Sequence, residues 1–292
     1  MDKDEIIKLL DSIEEKMIDK ETFGFSPEVL GTLDNVEASH DEIELLKAQI
    51  GNEILMRIFN FANSVYYGNL RKGSIYTFYE VVTRLGMNHT KALIIILALQ
   101  ILARDDKEIE VIFARSFASS VMGNVFAHQC GMREDNVKIV ELGGLFSEMG
   151  RMVLVLYKKI YGSDDPRIDQ DFIDKYHPYL TERIIEIFAL PDYLNQMVLS
   201  ESIVVEGNYI TVSGVTQLAI NFVTASFNKF HNHLVIEALS PNFLAHNDAI
   251  SLDTIIEDQF HAVGLGKYLR IIRRRERLLP KYEGRKENSK EI

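Results

Sequence analysis

The sequence has almost no cysteine and no excess of positive charge, and both shortages exclude classes of protein. A single cysteine, Cys130, rules out an internal disulfide and any zinc site built from several thiolates. One free thiol is typical of a reducing compartment, so we expect a cytoplasmic protein. The formal net charge of −11 argues against a general nucleic-acid-binding surface.

Long apolar runs are also missing. The longest, residues 92–103, has 12 residues and is interrupted by Gln100, whereas a helix needs about 20 apolar residues to span a bilayer. The amino terminus is amphipathic and acidic, unlike a signal peptide. We therefore expect no membrane insertion and read residues 91–103 as a fully buried helix.

Sequence patterns typical of β-strands are also scarce. The chain has only six prolines, and apolar residues do not alternate with polar ones over long stretches. Helical spacing recurs instead, over residues 6–17, 180–188 and 215–222. One segment, 205–212, carries the turn signal Gly207-Asn208, and a short hairpin is the alternative there. The pattern predicts an all-α fold.

A polar and aromatic cluster, "FANSVYYG" (61–68), follows the amphipathic stretch 52–62. No nucleophile elbow surrounds Ser64, so a catalytic serine is disfavoured. Tyr66 and Tyr67 could stack on a base, but tyrosines at a helix end more often belong to the core. We interpret Asn63, Ser64, Tyr66, Tyr67 and Gly68 as a structural corner that closes one helix.

This cluster and three later segments together resemble the HDOD domain of bacterial signalling proteins. The similar segments are 143–157, 176–194 and 212–223, and the resemblance covers roughly residues 25–225. The positions in the first part that match the family pattern are Asn63, Ser64, Tyr66, Tyr67, Gly68, Ile75, Thr77, Val81, Leu85 and Gly86. Four pieces in the right order make the resemblance specific, although each piece alone is weak.

The resemblance implies an all-α, two-lobed fold related to the HD metal-dependent phosphohydrolases. We expect an amino-terminal lobe at 1–105 and an HD-like lobe at 106–225. A carboxyl-terminal helical extension would follow at 226–285, with a disordered tail at 286–292. Within the extension, the basic run 267–286 has an apolar side and would dock on the acidic body or on a partner.

The resemblance also implies where the metal ligands of a hydrolase would lie. The His-Asp pair falls on Ser147 and Glu148, and an earlier ligand histidine falls on Arg115. Only His177, which we expect at a helix start beside Pro178, remains as an imidazole. The hydrolase site therefore reads as dismantled, with no metal, no cofactor and no catalytic residue. We predict that Arg115 and Glu148 form an ion pair, about 4 Å or less between charged atoms.

Two further pairs of candidate metal ligands have the wrong spacing. His128 and Cys130, like His231 and His233, lie two positions apart and would point away from each other on a helix. We therefore expect Cys130 to be an ordinary buried thiol.

Three functions remain open at this point. The leading prediction is a non-enzymatic regulatory module that contacts a signalling protein, with self-association as an option. The alternative is a module that binds a nucleotide, such as a cyclic dinucleotide, through Arg115 and Arg151 in the old cleft. A residual metal-dependent phosphohydrolase is the third and least favoured reading.

Overall fold

The computed structural model describes residues 2–18, 27–35, 37–63, 74–102, 106–162, 165–199, 205–206 and 209–227, together with His261 and Gly266. These ranges form twelve α-helices, one short 3-10 helix (Leu46–Ala48) and one pair of very short strands. The helices are α1 (Lys3–Met17), α2 (Pro27–Asp34), α3 (His40–Leu45), α4 (Asn52–Ala62), α5 (Phe78–Leu85), α6 (Met87–Leu102), α7 (Lys107–Gln129), α8 (Glu134–Phe146), α9 (Met149–Tyr161), α10 (Gln170–Ile187), α11 (Tyr193–Leu199) and α12 (Val212–Phe227).

Several helices begin where the sequence supplies a capping residue. At α5, the Thr77 side chain accepts from the backbone N–H of Glu80, and the Glu80 carboxylate accepts from the N–H of Thr77 in return. The same reciprocal arrangement opens α1 and α3. It satisfies amide groups that have no partner inside the helix, which fixes the start of each helix.

Helix α6 is the enclosed centre of the first lobe, but the predicted fully buried stretch 91–103 is buried only as far as Leu99, since Gln100 and Ile101 are half-buried and Leu102 is 43% exposed. Every residue from His89 to Leu99 is buried, and α2, α4 and α5 pack around the helix. Gly86 joins α5 to α6 with a φ of +91°, a conformation in which a side chain would be strained. The two helices meet at a bend of 109°.

The second lobe is built around α7, which packs against α8, α9 and α12. Glycines allow its closest approaches. A Cβ on Gly144 of α8 would lie 2.6 Å from the backbone of Ser119 and Ser120 in α7. A Cβ on Gly150 of α9 would lie 2.0 Å from the carbonyl oxygen of His177 in α10. These contacts hold the helices that carry the candidate site.

Val205–Glu206 and Tyr209–Ile210 form a pair of short strands, a local departure from the helical pattern of the chain. Val205 pairs with Ile210 and Glu206 with Tyr209 in antiparallel register. This pairing agrees with the short hairpin kept as the alternative for this segment, and Gly207 and Asn208 themselves lie outside the described residues. The pair is only two residues long on each side, and the fold class remains all-α.

Helix α1 packs against α9 and α10 of the second lobe. Arg183 of α10 donates two hydrogen bonds to the Glu14 carboxylate, at 2.8 and 2.7 Å. The pKa of Glu14 is lowered, chiefly by these bonds. The predicted first lobe, 1–105, thus includes a helix whose main contacts are with the second.

A buried lysine joins the two lobes. Lys91 of α6 is fully buried, and its ammonium lies 2.6 and 2.8 Å from the two carboxylate oxygens of Asp34 in α2. It also donates to the carbonyl of Ala189, at 3.2 Å, in the turn between α10 and α11. Ala189 has a φ of +47°, which is rare for a residue with a side chain. The contact therefore ties a strained turn of the second lobe to the core of the first.

Over the ranges that the structure describes, no single helix is long and apolar enough to cross a membrane; only the bent pair α5 and α6, taken together, reaches that length and composition. The basic run 267–286, the tail 286–292, His231 and His233 lie outside the described residues.

Candidate functional site

The predicted site residues come from four different helices or their ends. Arg115 lies in the middle of α7, and Glu148 is the residue that precedes α9. Ser147 ends α8, and His177 lies in α10. Helix α9 packs against both α7 and α10, which brings Arg115 and Glu148 to one cleft and His177 close enough for the charge of Arg115 to affect its pKa.

Arg115 and Glu148 form the predicted ion pair. The Nη2 of Arg115 donates to Oε2 of Glu148 at 2.7 Å. Arg151, one turn along α9, places its Nε 2.7 Å from the same oxygen, although its N–H is not directed at it. Only about a tenth of the Glu148 side chain is exposed. One largely buried carboxylate oxygen is therefore in contact with two guanidinium groups.

A second carboxylate extends this network. Asp174 of α10 accepts hydrogen bonds from Nη1 of Arg151 and, at 2.9 Å, from Nε2 of Gln170. Burial alone would raise the pKa of Asp174, but the hydrogen bonds from Arg151 and Gln170 outweigh it and lower that pKa. Each arginine therefore donates a hydrogen bond to one of the two carboxylates, while the buried Nε atoms of both arginines have no hydrogen-bond partner among the described residues.

His177 lies inside a helix, and the prediction of a helix start at His177-Pro178 is wrong. Helix α10 begins at Gln170, seven residues before His177, and the side chain of its N-cap Asp169 accepts from the backbone N–H of Phe172. Pro178 is accommodated in the helix interior although it cannot donate to the preceding turn. The hydroxyl of Thr181 donates to the carbonyl of His177 at 3.0 Å and accepts from the N–H of Gly150 at 2.9 Å.

The His177 imidazole is held in its neutral form. Burial and the positive charge of Arg151 lower its pKa to about 4, with Asp174 opposing the shift and Arg115 adding to it. Its Nδ1 is buried and has no hydrogen-bond partner among the described residues. The ring is therefore next to the arginines without being paired to either.

Ser147 does not join the cluster. It is buried, and its hydroxyl donates to the carbonyl of Gly144 at 2.7 Å, within its own helix end. The structure thus places Arg115, Glu148 and His177 near one another, whereas the Ser147 hydroxyl bonds to a carbonyl at the end of α8.

The cluster borders a cavity of about 280 Å³. Its polar lining includes Glu108, Gln170 and Asp174, which the sequence analysis did not identify. Gln170 and Asp174 precede His177 by seven and three positions, so all three share one face of α10. A predicted helix that began after Asp169 would have placed Gln170 and Asp174 on the same face as His177.

Asn63 has a defined structural contact in the first lobe. It ends α4, and its side chain accepts from the backbone N–H of Ile75 at 2.7 Å and donates to the Ile75 carbonyl at 3.2 Å. Its amide therefore pairs with the chain that leads into α5, as a strand neighbour would. Ser64, Tyr66, Tyr67 and Gly68 lie outside the described residues.

His128 and Cys130 form no metal site with each other. The Nε2 of His128 is 3.8 Å from the Glu134 carboxylate, and Cys130 is a half-buried free thiol whose pKa is raised by burial. Across the described ranges, no group of three or more histidines, cysteines and carboxylates is arranged to hold a metal ion.

Comparison with known families identifies the fold. The family model for the HDOD domain matches residues 29–201, which is more than half of the chain. The chain belongs to the HDOD family. The matched segment of this HDOD protein runs from α2 to the end of α11 and contains Arg115, Glu148, Arg151 and His177.

Solved structures share the fold of this HDOD protein at low sequence identity. Two come from Shewanella amazonensis SB2B. The first, provisionally named a metal-dependent phosphohydrolase, has a TM-score of 0.59 and 14% identity, and the match covers 89% of this chain and 97% of that one. The second, provisionally named a phosphohydrolase, has a TM-score of 0.52 and 13% identity, covering 90% and 97%.

A third structure, an HDOD domain protein of unknown function from Geobacter sulfurreducens, has a TM-score of 0.46 and 16% identity, covering 83% and 89%. A search of curated protein sequences gives no significant match to this HDOD protein.

Proposed function

We propose that this HDOD protein is a non-catalytic regulatory module that acts through protein contacts. The observation that carries the proposal is the Glu148 carboxylate, whose Oε2 lies 2.7 Å from both Arg115 and Arg151. In the family resemblance this carboxylate stands at the position of a metal-binding aspartate.

The two guanidinium groups disfavour a dication at Glu148. A metal ion that approached this oxygen would meet two permanent positive charges within a few ångströms, in a cleft with little water to screen them. It would also have to displace the hydrogen bond that the carboxylate accepts from Arg115. The arginines thus supply the positive charge that the ion would otherwise contribute, and no activated water is produced.

An exposed aromatic surface on the first lobe supports a role in protein contacts. Tyr76 is 78% exposed and Leu45 is 66% exposed. Tyr79 lies beside them, with its ring centroid 4.7 Å from that of His40 and its backbone N–H donating to Glu44 at 2.6 Å. Tyr76 lies just before α5, and exposed aromatic side chains are typical of the residues that dominate binding at protein interfaces.

A hydrolysis assay tests the absence of catalysis. The purified protein would be incubated with bis-(p-nitrophenyl) phosphate and Mn²⁺ or Mg²⁺, beside the Glu148→Gln variant. We expect both proteins to match the rate without protein. Turnover by the wild type that is lost in Glu148→Gln would overturn the proposal and restore the residual phosphohydrolase.

A capture experiment tests the protein contacts. Tagged wild type and the Tyr76→Glu variant would be compared in a lysate of the native host, with Lys8→Glu, an exposed change on α1, as the matched control. We expect a specific protein to be retained by the wild type and the control and lost from Tyr76→Glu. Equal retention by all three would remove this surface from the proposal.

The alternative, nucleotide binding in the old cleft, has one observation in its favour: Arg115 and Arg151 both line the 280 Å³ cavity. Each guanidinium is already paired with a carboxylate, however, and Glu108 adds another negative charge to the lining. Calorimetry with a panel of cyclic dinucleotides distinguishes the two functions. Saturable binding that Arg151→Gln abolishes would favour the nucleotide.

A further inference from the structure

A larger cavity, of about 460 Å³, lies between the two lobes and away from the cleft that contains Arg115. The end of α2 and the junction of α5 and α6 form one wall, and α8 and α11 form the other. Cavities of this size at the boundary of two structural units are the usual places for small ligands.

Of the two negative charges at this cavity, one is paired with a buried lysine and the other is exposed to water. Asp34 holds the buried ammonium of Lys91 with both carboxylate oxygens, at 2.6 and 2.8 Å. Asp135 lies at the exposed rim, 3.9 Å from a guanidinium nitrogen of Arg133. Neither carboxylate therefore needs a further cation from the cavity.

Lys138 on α8 is the cation of this cavity without a counterion. It lines the cavity and is half-buried, and it forms no ion pair or hydrogen bond with any residue that the structure describes. It is close enough to the buried His89 ring that its charge helps to lower the pKa of His89 to about 3, after burial itself.

Other polar groups converge on the same space. Asn88 and Tyr193 line the cavity, and neither side chain has a hydrogen-bond partner within the described ranges. Gly86 precedes α6 and has no side chain to cap the first turn, so the amides of residues 87–89 donate to no described residue. Free amides at a helix start favour negative charge.

The remaining lining is apolar. Leu33 and Leu85 come from the first lobe, and Leu142 comes from α8 of the second. The cavity therefore combines one unpaired cation, two uncommitted polar groups and a hydrophobic wall. That combination suits an amphipathic ligand and not a metal ion or a free inorganic anion.

We propose that the interlobe cavity binds a small molecule with an anionic group on an apolar body. Lys138 and the first amides of α6 hold the anion, Asn88 and Tyr193 donate hydrogen bonds, and the leucines cover the apolar part. A ligand at this position touches both lobes and adds to the link made by Lys91. This site is separate from the cleft of the proposed function and does not depend on it.

Calorimetric titration of the full chain with three probes tests the site. The probes are 1-naphthyl phosphate, which has both parts of the proposed ligand, inorganic phosphate and 1-naphthol. We expect saturable, one-to-one binding of naphthyl phosphate that is at least about tenfold tighter than binding of either fragment, because the charged and apolar contacts act together.

Variants locate the binding. Lys138→Gln should weaken naphthyl phosphate at least about tenfold, because a charge-assisted contact is lost. Lys8→Gln, an exposed lysine on α1, should leave the affinity unchanged. Ile139→Trp, at a half-exposed position that lines the cavity, should block binding by filling the space, whatever the role of the charge.

Two results would overturn the proposal. One is the absence of saturable binding of naphthyl phosphate by a wild-type protein whose circular dichroism shows it to be folded. The other is binding that neither Lys138→Gln nor Ile139→Trp weakens, since the ligand would then sit elsewhere.

Discussion

At the scale of single residues, the central feature is a carboxylate whose partners are arginines. Glu148 is largely buried and has contacts with Arg115 and Arg151 at 2.7 Å each. A buried carboxylate left without its partners is strongly destabilising, because its desolvation is no longer compensated. The stability of the fold should therefore depend on the ion pairs of Glu148, the carboxylate at the position where a hydrolase would bind its metal.

Replacing Arg115 by alanine should lower the free energy of unfolding by about 2–4 kcal/mol. We expect the lower part of that range, since Arg151 still contacts Glu148. Urea denaturation followed by circular dichroism measures the change. The matched control is Arg133→Ala, whose side chain is 87% exposed and whose ion pair spans 3.9 Å; it should cost less than about 1 kcal/mol. Equal losses in the two variants would mean that the Arg115 pair has no special weight.

The His177 imidazole predicts a specific dependence of stability on pH. Its pKa in the folded protein is lowered to about 4 from an ordinary value of 6.5, so the unfolded chain binds a proton more readily than the folded one. Its contribution is complete above pH 6.5 and is lost progressively as the pH falls toward 4. Between pH 7.5 and pH 5 the loss should be about 2 kcal/mol.

The measurement compares the wild type with His177→Gln by urea denaturation at both pH values. The wild type should lose about 2 kcal/mol more than the variant over this range, since other acid-sensitive groups are common to both proteins. Parallel losses would show that His177 titrates normally in the folded state.

At the scale of helices, glycine determines how closely α9 and α10 can pack. A Cβ at Gly150 would lie 2.0 Å from the His177 carbonyl oxygen and 2.8 Å from the Thr181 nitrogen, both backbone atoms. Gly150→Ala should therefore cost about 3 kcal/mol or more, because backbone cannot yield as a flexible side chain does.

Gly31 is the matched control for Gly150. It lies in α2, and a Cβ there would meet nothing within 4 Å. Gly31→Ala should raise the free energy of unfolding by about 0.5–1 kcal/mol, because alanine is the better helix former. Thermal or urea denaturation distinguishes the two outcomes. If Gly150→Ala left the free energy of unfolding unchanged, the close packing of α9 against α10 at His177 would be contradicted.

Local signals in the sequence located several helices well. The stretch 52–62 became α4, and the predicted buried helix 91–103 lies within α6, whose buried residues run from His89 to Leu99. The start of α10 was missed, because a proline after His177 imitates a helix start when the true cap, Asp169, lies eight residues earlier. A local signal fails where tertiary packing keeps a proline inside a helix.

The ion pair of Arg115 with Glu148 was predictable only because the family resemblance placed both positions at one centre. No comparable motif indicated the contact of Arg151 with Asp174. The partners of Lys91 were still harder to predict from the sequence. Its partners are 57 and 98 residues away in the chain, and no periodicity connects residues at such distances. Contacts of this kind arise from the packing of lobes and cannot be read from one sequence.

At the scale of the whole molecule, Lys91 links the lobes through Asp34 and the turn at Ala189. Asp34→Ala should destabilise the protein by about 2 kcal/mol or more, since a fully buried ammonium would lose its counterion. Lys91→Met should cost less, because it removes the buried charge and keeps the volume.

A double-mutant cycle of these two changes, measured by urea denaturation, should show a coupling above about 1 kcal/mol. The double variant should then be more stable than Asp34→Ala alone. Additive losses would show that the Lys91–Asp34 pair contributes little and that the lobes are held by apolar contacts.

The most direct test of the account is a calorimetric titration of the metal-free wild-type protein with Mn²⁺, beside Glu148→Gln. If Arg115 and Arg151 take the place of a metal ion at Glu148, the wild type should show no saturable binding and should be indistinguishable from the variant. One-to-one binding of Mn²⁺ by the wild type that Glu148→Gln abolishes would contradict the account, since the carboxylate would then be a working metal ligand.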